Sequence, residues 1–279
     1  MYKTEFRFLT SSKDKSIFLA HYSPQDSNLT AGAVILIPPF AEEMNRSKRM
    51  YVLTARQLAN AGFHVFCFDL VGTGDSECEF QDCSYVDWSQ NIKDVYAHVT
   101  KSYSCSVHFI ALRFGALLLT DFLRENSENV KTCIFWDPVE SGEVFFRQLI
   151  RTKLAADMAI GSEKKTSEEL MVELSDQGYL EIGGYAINKP LAEKIQQLKL
   201  VEFIPNMLGH VELYWMQTNP NAGKIKTPAL PNSLKNITSD KVSFHTVEDI
   251  RFWMQQEVTI APNLLRETCK VLAHDEILH

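Results

Sequence analysis

The stretch VHFIALRFGALL, residues 107–118, is the part of the sequence that says most about the fold of this chain. Residues 106–112 form a short apolar run, which is typical of a buried strand, and residues 114–126 have the pattern of a helix. The strand and the helix meet at a tight turn. Arg113, the one charged residue of the stretch, stands in that turn, so its side chain must have a partner or a purpose there.

Strands and helices alternate on both sides of this stretch. Apolar runs predict strands at residues 33–39, 64–70, 106–112, 131–138, 211–217 and 241–249, and helical periodicity predicts helices at 46–62, 85–99, 114–126 and 263–273. Such alternation is typical of a parallel sheet with right-handed crossovers. Residues 3–10 and 16–22 predict an N-terminal β-hairpin. The sequence therefore predicts an α/β fold with a mostly parallel central sheet.

The composition is that of an ordinary soluble globular protein. The 279 residues are 45% hydrophobic and 23% charged, and the formal net charge of −7 argues against general nucleic-acid binding. Residues 1–16 lack the apolar core of a signal peptide, and no apolar run approaches the ~18 residues of a spanning helix. The six cysteines form no C-x-x-C pair. We therefore expect a cytoplasmic protein with no nucleic-acid partner, no stable membrane insertion, no metal and no cofactor.

Three segments together resemble the α/β-hydrolase fold. They are DLVGTGDSE (residues 69–77), ALRFGA (residues 111–116) and IPPFAEEMNRSKRM (residues 37–50). In that fold the second segment is the nucleophile elbow, which reads G-x-S-x-G, and the third supplies the oxyanion loop. The second and third segments, with residues 136–158, also resemble a narrower bacterial family, the second type of exosortase-associated hydrolase. That family is found with exopolysaccharide and exosortase gene clusters.

The resemblance implies how the chain is divided. Residues 1–138 would form the N-terminal part of the α/β-hydrolase core, residues 139–208 a helical lid inserted over the sheet edge, and residues 209–279 the C-terminal part of the core. It also implies a hydrolase-like protein, which would act on esters or thioesters if it is active. The sequence leaves the oligomeric state open.

The catalytic triad of that fold, a serine, an acid and a histidine in chain order, is missing from its expected positions. Arg113 stands where the serine belongs, and a guanidinium stays protonated and cannot attack a carbonyl. The strand at 211–217 is followed by Thr218 rather than a carboxylate. The last strand is followed by no histidine, since His210 and His245 both lie too early. We therefore expect that Ser-His-Asp hydrolysis is lost, as in a pseudoenzyme.

A relocated nucleophile is the alternative that keeps the chain an esterase or thioesterase. Ser76 lies beside the elbow in this fold, but the sequence places no histidine with it. Cys105 and Cys133 are expected in the sheet, where a thiol without an activating base is inert. The remaining histidines are scattered over strands, helices and the tail: His21, His64, His98, His108, His274 and His279.

Arg113 has two interpretations that can both hold. The elbow residue projects over the N-terminus of the next helix, which carries partial positive charge, so a cation there needs an anion. In the first interpretation Arg113 pairs with Glu42, Glu43 or Asp137 in a structural salt bridge. In the second, Arg113 and the helix N-terminus bind a carboxylate or phosphate of a ligand. The sequence does not choose between them.

Further residues are predicted to meet Arg113, because ligands of α/β sheets bind outside the carboxyl ends of the strands. The predicted substrate-binding set is Phe40, Arg46, Phe114, Asp137, Arg147, Arg151, Trp253 and Glu257. We predict that this site binds an anionic, acyl or glycosyl small molecule, with Glu42 or Glu43 as general acid or base. The rival prediction is a non-catalytic binding or scaffold protein.

Overall fold

Alternating strands and helices build the chain around one main sheet. The computed structural model describes residues 1–26, 30–161, 165–202, 204, 209, 211–224, 230–231, 234–235, 237 and 239–277, with side chains up to residue 273. The strands are β1 (Tyr2–Thr10), β2 (Ser16–Pro24), β3 (Gly32–Ile37), β4 (Phe63–Phe68), β5 (Val107–Leu112), β6 (Val130–Trp136), β7 (Tyr179–Ile182), β8 (Tyr185–Asn188), β9 (Glu212–Thr218) and β10 (Val242–Val247). The helices are α1 (Glu42–Asn60), α2 (Tyr85–Ser102), α3 (Gly115–Leu123), α4 (Gly142–Ala159), α5 (Ser167–Gln177), α6 (Lys189–Gln197) and α7 (Pro262–Ile277).

Eight strands form the main sheet in the order β1-β2-β4-β3-β5-β6-β9-β10. β2 runs antiparallel to both of its neighbours, and every other neighbouring pair is parallel. The predictions of a mostly parallel sheet and of an N-terminal hairpin are therefore confirmed. Across the described residues, no helix combines the length and the apolar character needed to cross a membrane.

The two faces of the main sheet are covered by different helices. One core joins Val34 and Ile110 of the sheet to side chains of α1 and α7, and the other joins Ile35 and Phe109 to α2 and α3. β3 and β5 are buried at every position, which explains why both read as continuous apolar runs. Because these two strands are parallel neighbours, the loops that follow them begin side by side at the carboxyl edge of the sheet.

The chain leaves the main sheet between β6 and β9, which are neighbours in it. α4, α5 and α6 lie in this part of the chain, together with the separate two-stranded hairpin β7–β8. The sequence predicts only a helical lid here, because strands of four residues are too short to show alternation. Gly183 and Gly184, with φ of 59° and 83°, form the turn of that hairpin.

Candidate functional site

Arg113 occupies the turn between β5 and α3. Its φ of 55° lies in the left-handed region, which costs a residue with a side chain roughly 1–2 kcal/mol. The Arg113 N–H donates to the carbonyl of Trp136 (3.0 Å), and the Arg113 carbonyl accepts from the N–H of Val139 (3.3 Å). The turn requires glycine at position 115, because a Cβ there would lie 2.8 Å from the carbonyl oxygen of Pro38. This strained turn holds Arg113 at the carboxyl edge of the sheet.

The Arg113 guanidinium is held by four contacts. Nε donates to Oε1 of Glu43 (3.2 Å), Nη1 donates to the carbonyl of Asp137 (3.4 Å), and Nη2 donates to Oε1 of Gln148 (3.4 Å). The guanidinium carbon lies 5.7 Å from the centre of the Trp253 ring. Since only 18% of the Arg113 side chain and 19% of the Glu43 side chain are exposed, water screens this ion pair less than a surface pair.

Glu42 and Glu43, adjacent in the first turn of α1, have different surroundings. Glu43 faces Arg113, and burial raises the pKa of its carboxyl although the Arg113 charge opposes that rise. Its Oε2 is buried without a hydrogen-bond partner in the described part of the chain. Glu42 instead accepts from Arg46 Nε (3.3 Å) and Asn45 Nδ2 (2.9 Å), and 45% of its side chain is exposed. Of these two carboxylates, Glu43 is therefore the one that contacts Arg113, while Glu42 pairs with Arg46.

Asp137 follows β6 at a left-handed position, with φ of 43°. Its Oδ2 accepts from both the N–H (2.9 Å) and the hydroxyl (2.8 Å) of Thr218, at the end of β9. Burial raises the pKa of this carboxyl to about 6, while Thr218, Arg113 and Arg251 act in the opposite direction. Asp137 thus reaches the strand end at which the sequence offered no carboxylate, and it touches Arg113 through its backbone carbonyl rather than its side chain.

Phe40 and Phe114 lie in a packed aromatic cluster beside the elbow. The members of this cluster are Phe40, Phe80, Trp88, Phe114 and Phe145, all of them buried. The ring centres of Phe40 lie 5.4 Å from Phe114 and 5.6 Å from Phe145, and Phe114 stacks on Phe145 at 5.3 Å. The two predicted substrate-binding phenylalanines therefore pack with each other and with α4, and neither lines the cavity described next.

A cavity of about 480 Å³ opens at Arg113, between the elbow and the start of α4. It is lined by Arg113, Pro138, Val139, Glu140, Ser141, Val144, Gln148, Lys199 and Val201. The side chain of Ser141 caps α4 by accepting from the N–H of Val144 (3.4 Å), so the positive end of that helix lies at the cavity wall. Sequence reasoning missed Ser141, Gln148 and Lys199; only the cap residue before a helical pattern offered a local signal.

Several predicted site residues lie away from this cavity. Arg147 is 61% exposed and pairs with Glu143 at 3.7 Å, and Arg151 is also exposed. Their shared face of α4 is the solvent face. Glu257 is exposed as well, and Arg46 contacts Glu42 rather than Arg113. The structure therefore brings Arg113, Glu43, Asp137 and Trp253 together and leaves the other predicted cations and Glu257 outside.

The alternative nucleophiles are in structural environments. Ser76 Oγ donates to the carbonyl of Asp69 (2.6 Å) and accepts from the N–H of Phe18 (2.8 Å), so both roles of the hydroxyl are used in fixing a turn. Cys133 is buried in β6, and burial raises the pKa of its thiol, which disfavours the reactive thiolate. Cys105 precedes β5, at the amino edge of the sheet and opposite the elbow.

The described histidines are also remote from the elbow. His108 is the second residue of β5, about 16 Å from the elbow at strand spacing. His21 and His64 form a buried pair, with Nε2 of His21 3.1 Å from Nδ1 of His64. His98 lies close enough to lower the pKa of His21 slightly further, beyond the larger effect of burial. His245 packs on Tyr214 (5.9 Å). The side chains of His210, His274 and His279 lie outside the described residues. Within the described part of the chain, no three metal-ligating side chains are grouped together.

The fold is shared with solved structures over nearly the whole chain. Est1E from Butyrivibrio proteoclasticus has a TM-score of 0.63 and 13% identity, with 98% of this chain and 99% of that chain covered. The α/β hydrolase GrgF from Penicillium sp. sh18 has a TM-score of 0.65 and 12% identity, with 98% of each chain covered. Proline iminopeptidase from Mycobacterium smegmatis has a TM-score of 0.62 and 12% identity, with 98% of this chain and 99% of that chain covered.

These similarities define the class of protein at the level of architecture. The chain has the α/β-hydrolase fold, as its sequence predicts. At such low identity the likeness establishes the fold and leaves the reaction open. No protein-family model and no curated protein matches the sequence. The exosortase-associated family therefore remains a prediction from the motifs.

Proposed function

We propose that this chain binds a small anionic molecule at Arg113, a carboxylate, phosphate or acyl-bearing compound, and no longer performs Ser-His-Asp hydrolysis. The observation that carries the proposal is the Arg113 guanidinium at the strained elbow, beside a cavity of about 480 Å³. We further propose that it acts in the cytoplasm, and the motif resemblance suggests a role beside an exopolysaccharide or exosortase pathway.

The hydrogen bonds of Arg113 leave it able to bind a ligand. A guanidinium has five N–H donors, and the hydrogen bonds to Glu43, Asp137 and Gln148 use three of them. The bonds from Nη1 and Nη2 are long, at 3.4 Å, and go to uncharged acceptors. A ligand carboxylate that replaced Gln148 would form a charge-assisted bond, which is shorter and about twice as strong. Lys199, although it pairs with Glu202 at 3.4 Å, and the N-terminus of α4 add positive potential at the same wall, where Glu140 is the one acidic lining residue in the described part of the chain.

The residues at the former triad positions support binding rather than serine hydrolysis. Arg113 occupies the nucleophile position, and Trp253 lies against it in the segment where this fold presents its histidine. Neither side chain can attack a carbonyl or accept a proton from a hydroxyl. The Trp253 Nε1 is buried without an acceptor in the described part of the chain, so the site also holds an unused donor.

Glu43 is the group we assign as acid or base for any reaction at this site. It contacts Arg113, and burial favours its protonated form, whereas Glu42 is half-exposed and neutralised by Arg46. A protonated Glu43 would leave the charge of Arg113 available to the ligand. Turnover of an identified substrate that survives both Glu42→Gln and Glu43→Gln would contradict this assignment.

Thermal unfolding with simple anions tests the binding proposal. Acetate, octanoate and inorganic phosphate, each titrated at constant ionic strength, are expected to raise the Tm of the wild-type protein. Arg113→Gln should abolish the rise, while Arg147→Gln should keep it, because Arg147 lies on the solvent face of α4. Equal Tm shifts in the wild-type protein and Arg113→Gln, or no shift with any anion, would overturn the proposal.

A separate experiment distinguishes the two rival functions, an esterase with a relocated nucleophile and a non-catalytic binding protein. Fluorophosphonate labelling, read by intact mass and peptide mapping, distinguishes an esterase with a relocated nucleophile from a protein without one. Stoichiometric labelling would identify the nucleophile and reject our proposal. A protein that binds anions at Arg113 but turns over no ester or thioester would be a non-catalytic binding protein on the same fold.

A further inference from the structure

β1 is an edge strand with a free side. All nine of its residues pair with β2 in one unbroken register, without a bulge. Seven of the nine are exposed, and in the described part of the chain no strand pairs with the other edge. Natural edge strands are usually short, bulged, covered, charged or interrupted by proline, because a free edge is a template for another strand, and of these devices β1 has only the charges of Lys3, Glu5 and Arg7. β1 is long and regular, and its sequence YKTEFRFLT contains no proline.

The face of β1 that carries Phe6 and Phe8 is exposed and apolar at its centre. Phe6 and Phe8 are 66% and 62% exposed, although both rings contact Phe18 of β2, at 6.0 and 5.8 Å. Alternate residues of a strand share a face, so the two rings stand next to each other. Two neighbouring exposed phenylalanines on a free edge indicate a surface that another chain covers.

We propose that a second copy of this chain covers it, by antiparallel pairing of β1 with β1 across a two-fold axis at Phe6. Phe6 is the midpoint of the strand, so this is the one symmetric register that aligns all nine residues. Glu5 then faces Arg7 of the second copy, and Arg7 faces its Glu5, which gives two complementary charge pairs. Phe6 packs on Phe6 of the second copy, and Thr4 faces Phe8 of the second copy. Two-fold self-pairing is the commonest way in which identical subunits associate.

The neighbouring registers either place like charges opposite each other or align fewer residues. An axis at Glu5 places Glu5 opposite Glu5 and Lys3 opposite Arg7, and an axis at Arg7 places Arg7 opposite Arg7. Like charges directly opposite each other destabilise a strand pair. An axis at Thr4 gives the favourable pair Lys3–Glu5 but aligns only residues 2–6. Charge and length therefore select the same register.

The dimer does not depend on the function of the site at Arg113. β1 is four strands from β5 in the main sheet, a distance of about 19 Å at the usual strand spacing. Pairing across β1 would join the two eight-stranded sheets into one continuous sheet and leave the cavity open. Failure of the anion-binding experiments would therefore leave this proposal unaffected, and the reverse also holds.

Sedimentation equilibrium with charge variants tests the proposal. The wild-type chain should dimerise, and Arg7→Glu, which places glutamates opposite each other twice, should raise the dimer Kd about tenfold or more. Glu5→Arg combined with Arg7→Glu exchanges the charges and should restore the dimer. Arg49→Glu, at an exposed position of α1, is the control and should leave the Kd unchanged. A monomeric wild-type chain, or a dimer that these β1 variants do not alter, would overturn the proposal.

Disulfide trapping tests the register itself. In the proposed dimer the two copies of a Phe6→Cys variant face each other, with Cα atoms about 4.5–5.5 Å apart, so mild oxidation with diamide should link them. The two copies of Thr4→Cys would be about 14 Å apart and should not link. Peptide mapping separates these links from those of the six native cysteines. Linkage of Thr4→Cys, or of neither variant, would contradict this register.

Discussion

The guanidinium carbon of Arg113 lies 5.7 Å from the centre of the Trp253 ring. Stacking of this kind contributes about 0.5–2 kcal/mol, more when the pair is shielded from water. Trp253 is almost fully buried, and the other side of Arg113 is bonded to Glu43. Our proposal equates these two positions with those of the nucleophile and its base in the α/β-hydrolase fold. Here they form a fixed cation–aromatic contact, and four predictions follow from it and its surroundings.

Introducing a serine alone at position 113 should not produce hydrolysis. Arg113→Ser is expected to show no hydrolysis of p-nitrophenyl acetate above the buffer blank and no fluorophosphonate labelling, because Trp253 cannot accept the serine proton. Arg113→Ser combined with Trp253→His supplies a base at the adjacent position and is the matched comparison. Labelling of Arg113→Ser at residue 113 would show that another base reaches the elbow and would reject our account of the triad positions.

Arg113 and Glu43 should be energetically coupled. A double-mutant cycle of Arg113→Met and Glu43→Gln, measured by urea unfolding, is expected to give a coupling free energy of about 1–3 kcal/mol, since both side chains are largely buried. The pair Arg46–Glu42, with 33% and 45% exposure, is the control and should give about 0.5 kcal/mol or less. Equal coupling in the two cycles would show that burial does not strengthen the Arg113 pair.

Asp137 should make stability fall as the pH rises. Burial raises its folded-state pKa to about 6 from an ordinary value of 3.8, so the folded protein binds the proton more tightly than the unfolded chain. The stabilising effect of that proton is complete below pH 3.8 and is lost as the pH rises through 6. Asp137→Asn lacks this titration. Relative to that variant, the free energy of unfolding of the wild-type protein should fall by up to about 3 kcal/mol between pH 4 and 7.

Urea unfolding of both proteins across that pH range checks the Asp137 prediction. Thr218→Val is the useful control, because it removes a hydroxyl donor to Asp137 and keeps the carboxyl. The variant should retain the fall in stability with rising pH. Parallel stability curves for the wild-type protein and Asp137→Asn would mean that the carboxyl does not titrate in this range.

Phe40 should stabilise the fold and have little effect on ligand binding. Phe40→Ala opens a hole in the aromatic cluster and is expected to lower the free energy of unfolding by about 3–5 kcal/mol. Phe40→Leu keeps most of the volume and should cost less than half of that. The Tm rise with acetate should persist in Phe40→Leu, since Phe40 does not line the cavity. Loss of that rise in a folded Phe40→Leu variant would place Phe40 at the ligand.

The sheet and its helices were predictable because their signals are local. β3 and β5 are apolar at every position, and α1 and α2 show helical periodicity, so their order along the chain alone indicated a parallel sheet. The hairpin β7–β8 was missed, since its strands of four residues carry too few positions for a pattern.

The members of the site were only partly predictable. Arg113, Glu43, Asp137 and Trp253 were all named from the sequence, because each follows or begins an element at the carboxyl edge of the sheet. Arg147 and Arg151 are four residues apart in the sequence, and this spacing puts them on one face of α4. Spacing does not determine whether that face points to the cavity or to solvent, and in the structure it points to solvent.

The order of the main-sheet strands and their helices, and the cation in the turn between β5 and α3, could be read from the sequence alone. These depend on neighbouring residues, whose apolar pattern decides burial. The choice of carboxylate that Arg113 contacts depends on how the elements pack. Glu42 and Glu43 are adjacent, yet one helical step rotates a side chain by about 100°, so the packing of α1 on the sheet turns Glu43 to Arg113 and Glu42 to Arg46. Contacts between residues 70 positions apart depend on such packing, which no local pattern records.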